Sequence, residues 1–265
     1  AAFLLDKHYN RTMKLFAGII LFFLLIGLLC SFSRAAWISV LAALVIAGLV
    51  FLKIKFRWIF LAGSIILAVF LYYQNDILMK LEKNKQDSSA NLVEHVQSIS
   101  NISSDASNLE RINRWQSAIK MFKERPVFGW GPGTYQFVYA PFQQTKDKTI
   151  ISTNAGDKGT AHSEYIGPLS ESGLLGMLSI LAIVIVVSIT AIRVYKQAKT
   201  PGTKLLALSY FLGLVTYFIH GTLNNFLDTD KSSVPFWTFA AAIVAIDIFH
   251  HRQQDSPDTG NGLQL

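Results

Sequence analysis

Apolar residues run along this chain in long blocks rather than in alternation. Residues 15–32, 35–52 and 56–73 carry almost no charge, and each approaches the roughly 20 residues that cross a hydrocarbon core as helix. A second set follows a long break: 174–192, 205–218 (extending toward Leu223) and 234–249. Blocks of this length predict an all-α fold, a polytopic membrane helical bundle of about six spans, because only helices and closed barrels satisfy the backbone in lipid. The expected organisation is three spans over 1–73, a loop domain over 74–165, three spans over 166–250 and a polar tail over 251–265.

Within the break the pattern changes twice. Residues 74–107 are rich in Ser, Asn and Asp and read as a linker with room for one short helix. Ser107-Asn-Leu-Glu110 then has capping-box spacing, and Leu109, Ile112, Trp115, Ile119 and Phe122 recur at helical intervals. This predicts an amphipathic helix from about 108 to 123, stopped by Pro126. On it Arg111 and Trp115 share a face, and Arg114 lies one turn on from Arg111.

Gly129, Gly131 and Gly133 alternate with Trp130 and Pro132. Glycines so placed permit positive φ and close backbone approach, either to a ligand or in a tight turn back to the membrane. The stretch follows a helix and lacks the Lys-Ser/Thr of a P-loop, which argues against nucleotide. The insertion closes on Ala161-His162-Ser-Glu164-Tyr165 at the edge of the fourth span. His-x-Glu could give two metal ligands, but no third stands at a recognisable spacing, so no metal and no cofactor is expected.

Composition agrees with the pattern. The chain is 51% hydrophobic and 15% charged, against about a quarter charged for a soluble domain. Lys and Arg sort by side: Lys7, Arg11, Lys14, then Lys53, Lys55, Arg57, then Arg193, Lys196, Lys199, Lys204, and finally Arg252 fall on one face. The short segments of the other face hold only Arg34 and Lys231. By the positive-inside rule both ends are expected in the cytoplasm and the long loop outside. Topology thus accounts for most of the basic excess behind the pI near 9.4, and nucleic acid is discounted as a partner. The single cysteine, Cys30, excludes an internal disulfide. With no initiator Met and no signal-peptide pattern, the chain reads as the later part of a longer membrane protein.

Arg34 sits in the connection between the first two spans, against the charge trend. An arginine at a bilayer centre costs about 2.5–3.5 kcal/mol on insertion scales, so one held in a bundle usually has a partner. The alternative is snorkelling to lipid phosphates. His220, Asn224, Asn225, Asp228 and Asp230 follow the fifth span and could line an outer vestibule, although a solvated loop with a helix cap is the simpler reading. Arginine forks grip phosphate whatever their burial, and histidine is suited to take a proton near neutral pH. Arginines at a span junction and on a loop helix, with a histidine at the loop's return, suit a lipid diphosphate substrate.

The motifs Ser33-Arg34-Ala-Ala-Trp37, Arg111-x-x-x-Trp115-x-x-Ala118, Pro126-x-x-Gly129-x-Gly131-x-Gly133 and Ala161-His162-Ser-Glu-Tyr165 through Glu171-x-Gly173-x-x-Gly176 resemble the O-antigen ligase / O-antigen polymerase family. The resemblance covers about residues 15–249, in the order of spans, large loop and further spans. It implies an inverting, metal-independent glycosyltransferase of the GT-C-like membrane type in the bacterial inner membrane, with its site facing the periplasm. The donor would be a glycan on undecaprenyl diphosphate. The acceptor would be a hydroxyl of lipid A-core, of a growing polysaccharide or of a protein.

On this reading Arg34 and Arg111 hold the diphosphate, and His162 is the base on the acceptor. Arg114, Trp115, Glu164 and Tyr165 position substrate, although Arg114 could equally be a solvated helix residue. Ligase is preferred for the His-Ser-Glu-Tyr pattern with one compact Arg-Trp helix; polymerase and protein O-oligosaccharyltransferase are the alternatives. A transporter would place charged or helix-breaking residues inside several spans, whereas the three spans before the loop have apolar centres. A non-catalytic assembly scaffold would tolerate loss of His162 and Arg34.

Overall fold

The structure is a computed structural model that describes residues 9–54, 106–145 and 159–255, with Leu4, Trp58, Leu61, Ile65, Lys148 and Ser152. Side chains of Arg34, 106–108 and 250–255 lie outside the described set, as does nearly all of the expected span 56–73 and of the linker 74–105.

The first pair of helices is built by short caps. Asn10 accepts a hydrogen bond from the Met13 N–H and starts α1 (Arg11–Cys30). Ser33 does the same for α2 (Arg34–Phe51) through the Ala36 N–H. Between them Phe32 takes a left-handed φ of 48°, and Trp37 Nε1 donates to the Leu28 carbonyl at 2.9 Å. The Ser33 and Trp37 ends of the first motif therefore stitch two spans together. Arg34 is the first residue of α2.

Within the polar insertion α3 (Ala106–Glu124) is followed by a short α4 (Tyr135–Val138) and a 3-10 turn (Ala140–Phe142). Then come α5 (Ile166–Glu171), α6 (Gly173–Gln197), α7 (Pro201–His220) and α8 (Asp230–Asp255). Every regular element among the described residues is helical. Four are long and apolar enough to cross a membrane (α1, α6, α7 and the Asp230–Phe249 part of α8), and Ala35–Phe51 is a shorter apolar helix. Five of the six expected spans thus have a helical counterpart. Their starts differ from the apolar blocks: α7 begins at Pro201 behind a Thr200 cap, and α8 begins at Asp230. A helix continues past the hydrocarbon edge as long as its backbone bonds and caps hold, so hydropathy alone places its ends too far in.

α7 is the hub of the bundle and packs on α2, α6 and α8. The core joins Ala43 of α2, Val187 and Ala191 of α6, Phe211, Leu214 and Val215 of α7, and Phe236, Ala240 and Ile243 of α8. In lipid no hydrophobic gain drives helices together, so small residues at the crossings matter. A Cβ at Gly213 would lie 2.7 Å from the Phe239 ring. At the other end of α6, Arg193 pairs with Asp247 of α8 at 3.5 Å. A second core lies in the insertion, where Ala118 and Met121 of α3 meet Tyr135, Tyr139 and Ala161. α5 bridges the two, packing on both α3 and α6.

Candidate functional site

α3 appears where the periodicity places it, starting at Ala106 and ending at Glu124, before Pro126. Its buried face carries polar chemistry as well as apolar packing. Arg114 is only 8% exposed and is not a solvated helix residue. Its Nε donates to Glu110 Oε1 at 2.8 Å, one turn back. Its Nη1 donates to the Thr160 carbonyl at 3.2 Å. The guanidinium also stands 5.2 Å from the centre of the Tyr139 ring, which is stacked on Tyr135. Tyr135 in turn donates its hydroxyl to the Arg114 carbonyl at 2.8 Å, and burial pushes that phenol's pKa up.

Glu110 is the acidic centre of this network. It is 3% exposed and accepts from Arg114, from the Ser152 hydroxyl and from Asn113 Nδ2. Asn113 also donates to Gln143 Oε1 at 2.9 Å. The sequence reading used Glu110 only as a helix-start signal. Its i,i+4 spacing to Arg114, among apolar neighbours, was the available clue.

The return segment threads over the Arg114 guanidinium. A Cβ at Gly159 would lie 2.5 Å from Arg114 Nη1 and 2.6 Å from the Tyr139 ring, so only glycine passes. Three residues later His162 adopts φ 48°, a left-handed conformation that costs energy for a residue with a side chain. Ser163, which is buried, accepts from the N–H groups of Tyr165 and Ile166 and so starts α5. His162 is therefore gripped on both sides. Burial lowers its pKa to about 4, and the charges of Arg114 and then Arg111 push the same way against Glu110. The imidazole is neutral at physiological pH.

Glu164 and Tyr165 fasten this segment to the end of α7. The Glu164 N–H donates to the Gly221 carbonyl at 2.8 Å, and its carboxylate accepts from the Leu227 N–H at 2.7 Å. Burial raises the Glu164 pKa, helped by Asp228 and opposed by the N–H groups of Leu227 and Phe226. Tyr165 donates its hydroxyl to the Phe218 carbonyl at 2.9 Å, and burial with the neighbouring Glu164 raises its pKa to about 12. Thr160 Oγ1 adds a bond to Asn225 Oδ1 at 2.9 Å, and Asn225 donates to Asp228. Of the group after the fifth span, Asn225 thus meets the return segment, whereas Asp228 and Asp230 are exposed and Asp230 starts α8, as a solvated loop with a helix start would have it.

The glycine stretch makes its close approach to the chain itself. Gly129, Gly131 and Gly133 all have positive φ. A Cβ at Gly129 would lie 2.4 Å from the Glu171 backbone, and one at Gly173 2.2 Å from the Val127 carbonyl oxygen. Across this contact Gly131 N–H donates to Glu171 O at 2.7 Å and Leu174 N–H to Pro126 O at 2.8 Å. Glu171 Oε1 then accepts from the Tyr135 N–H at the start of α4. The turn reading of these glycines accounts for the contacts observed.

The structure therefore brings Arg111 and Arg114 of α3 within electrostatic reach of His162. Trp115 is half-buried beside them, its Nε1 buried without a hydrogen-bond partner among the described residues. The Arg34 side chain lies outside the described residues. His220 ends α7 on a cleft it shares with Glu164, Tyr165 and Tyr217. In the sequence His220 stands in the group after the fifth span, which can line an outer vestibule or form a solvated loop with a helix cap. Among the described residues no three His, Cys, Asp or Glu side chains are grouped to hold a metal ion.

Such an arrangement can grip an anion with arginine and take a proton with a neutral imidazole. A family model described as O-antigen ligase matches residues 19–181. No curated protein and no solved structure matches the chain.

Proposed function

The chain belongs to the O-antigen ligase family, and from that membership we propose that it transfers a glycan from undecaprenyl diphosphate to an acceptor hydroxyl. The reaction takes place at the periplasmic face of the bacterial inner membrane, and the acceptor is lipid A-core. The observation that carries the reading is the family match over residues 19–181, which spans Arg34, Arg111 and His162, with the return segment that bears His162 passing against Arg114.

In the proposed step the acceptor oxygen attacks the anomeric carbon from the face opposite the diphosphate. Its proton passes to the His162 imidazole, the bond from the anomeric carbon to the phosphate oxygen breaks, and undecaprenyl diphosphate leaves with the electron pair. The anomeric configuration inverts. Arg111 and Arg34 stabilise the charge that grows on the leaving group. Because diphosphate leaves readily and arginine supplies the positive charge, the step needs neither a general acid nor a divalent metal. Arg114 positions rather than reacts, since its guanidinium is bonded to Glu110 and Thr160. Glu164 and Tyr165 support His162 through their bonds to the end of α7. Trp115 offers its indole N–H to the substrate.

The test is to replace His162, Arg34 and Arg111 singly by Ala and follow the lipid-linked glycan in cells. Each variant should accumulate donor at normal protein level and lose transfer by roughly a hundredfold or more, the usual weight of a positioned base or charge stabiliser. Unchanged transfer in all three would remove the reading. Transfer that persists in excess chelator supports the metal-independent step, and analysis of the product linkage identifies the acceptor.

A further inference from the structure

His220 takes no part in the steps above, yet it is built into the same end of the molecule. It closes α7, and its ring stands edge-on to Phe226 with centroids 4.6 Å apart. Its Nε2 is buried and has no hydrogen-bond partner among the described residues. A buried polar atom left in this state destabilises the fold, and its retention calls for a cause.

The surroundings point to one. His220 lies within electrostatic reach of Arg111, the same cation that acts on His162. It also lines a cleft between α6, α7 and α8 whose apolar lining includes Ile180, Val184, Phe218 and Phe236. Ile180 and Val184 stand roughly two and three turns inside α6. Two polar groups on the same wall are already bonded: the Glu164 carboxylate to Leu227 N–H and the Tyr165 hydroxyl to Phe218 O. A buried, unpartnered imidazole nitrogen on a mainly apolar cleft, within electrostatic reach of a cation, fits an amphiphile with an anionic head and a long hydrocarbon chain.

We propose that His220 is a donor-binding residue, its Nε2–H hydrogen-bonded to a diphosphate oxygen of the polyprenyl diphosphate whose first isoprene units enter the α6–α7–α8 cleft. The proposal rests on the donor assigned under the proposed function and adds a residue to its binding site. It also gives the two histidines separate tasks, His162 at the acceptor proton and His220 at the leaving group.

The experiment titrates the full chain in nanodiscs with undecaprenyl diphosphate and reads intrinsic tryptophan fluorescence and thermal stabilisation. Three proteins are compared: unchanged, His220→Phe and His220→Gln. Phe keeps an aromatic ring against Phe226 but has no N–H, whereas Gln retains an amide donor. The Phe variant should bind undecaprenyl diphosphate roughly tenfold or more weakly, the weight of one hydrogen bond to a charged group, and Gln should bind within about threefold of the unchanged protein. His220→Met replaces the Phe variant if the latter does not accumulate. Wild-type affinity in the Phe or Met variant overturns the proposal. So does an equal loss in the Gln variant, which marks ring packing. Phosphatidylglycerol binding with the same affinity and the same His220 dependence overturns it as well, since the cleft would then hold ordinary lipid. If the unchanged protein does not bind undecaprenyl diphosphate at all, the donor assignment itself fails, which separates the two failures.

Discussion

At the scale of single residues, Arg111 and Arg114 look alike in the sequence, as two cations on one predicted helix. The folded chain shows that Arg114 is bonded to Glu110 and Thr160. That distinction was not legible, because Thr160 is 46 residues away from Arg114. His162 was legible as a lone histidine at a loop closure; its neutrality was not, since it comes from burial and from charges on another element. The shift has a measurable sign. An unfolded chain protonates this imidazole near 6.5, whereas the folded chain resists protonation until about 4. Between those values the unfolded state binds more protons, so stability should rise with pH across the window and flatten above it. Unfolding of the detergent-solubilised protein at pH 4.5, 5.5 and 7 measures this, and His162→Gln should flatten that part of the profile. The acid limb of kcat/KM, which reports the free enzyme, should likewise fall near pH 4 rather than near 6.5.

At the scale of elements, periodicity and block length found the helices well and their joints poorly. The helix over Ala106–Glu124 follows from the spacing of Leu109, Ile112, Trp115, Ile119 and Phe122. The three glycines after Pro126 left ligand approach and chain turn equally open, because both need the same backbone freedom. The contact with Glu171 and Gly173 resolves it, and it sets Gly129 and Gly173 apart from Gly133. Gly129 (φ +66°) and Gly173 (φ +68°) each face backbone at 2.4 and 2.2 Å, whereas Gly133 (φ +72°) faces open space. Gly133→Ala should therefore cost only the left-handed penalty of about 1–2 kcal/mol. Gly129→Ala and Gly173→Ala add a collision with main chain that cannot rotate away, and should lower the yield of folded protein far more. Comparing melting temperature and yield of the three variants checks this order; equal losses would show that φ alone matters.

At the scale of the whole molecule, the number of spans was close to legible and their pairing was not. Hydropathy marks which segments enter lipid, but the placing of α7 between α2, α6 and α8 depends on which faces carry Ala43, Ala191, Gly213 and Ala240. The site is likewise assembled from segments far apart in the chain: α3, the 159–165 return and the end of α7. Glu164 is the fastener between the last two, through Gly221 and Leu227. Glu164→Ala should loosen the return segment, increase its cleavage by protease and slow transfer roughly tenfold or more, because catalytic geometry tolerates little displacement. Glu164→Gln retains an oxygen for the Leu227 N–H and should behave close to the unchanged protein. Slow transfer in the Ala variant with no gain in protease cleavage would instead assign Glu164 to direct substrate contact.

The contact between Pro126–Val127 and Gly173–Leu174 has a mechanical meaning. It joins the exit of α3 to the first turn of α6 through backbone alone, by a 2.8 Å bond from Leu174 N–H to Pro126 O and a fit that leaves no room for a Cβ. A joint of that kind transmits tilt. When a bilayer is thinner or thicker than α6 is long, the helix leans to match it, and the arginine-bearing helix leans with it. On the proposed function, the height of Arg111 above the lipid headgroups follows the tilt of α6, so transfer measured in bilayers of graded acyl-chain length should change with thickness.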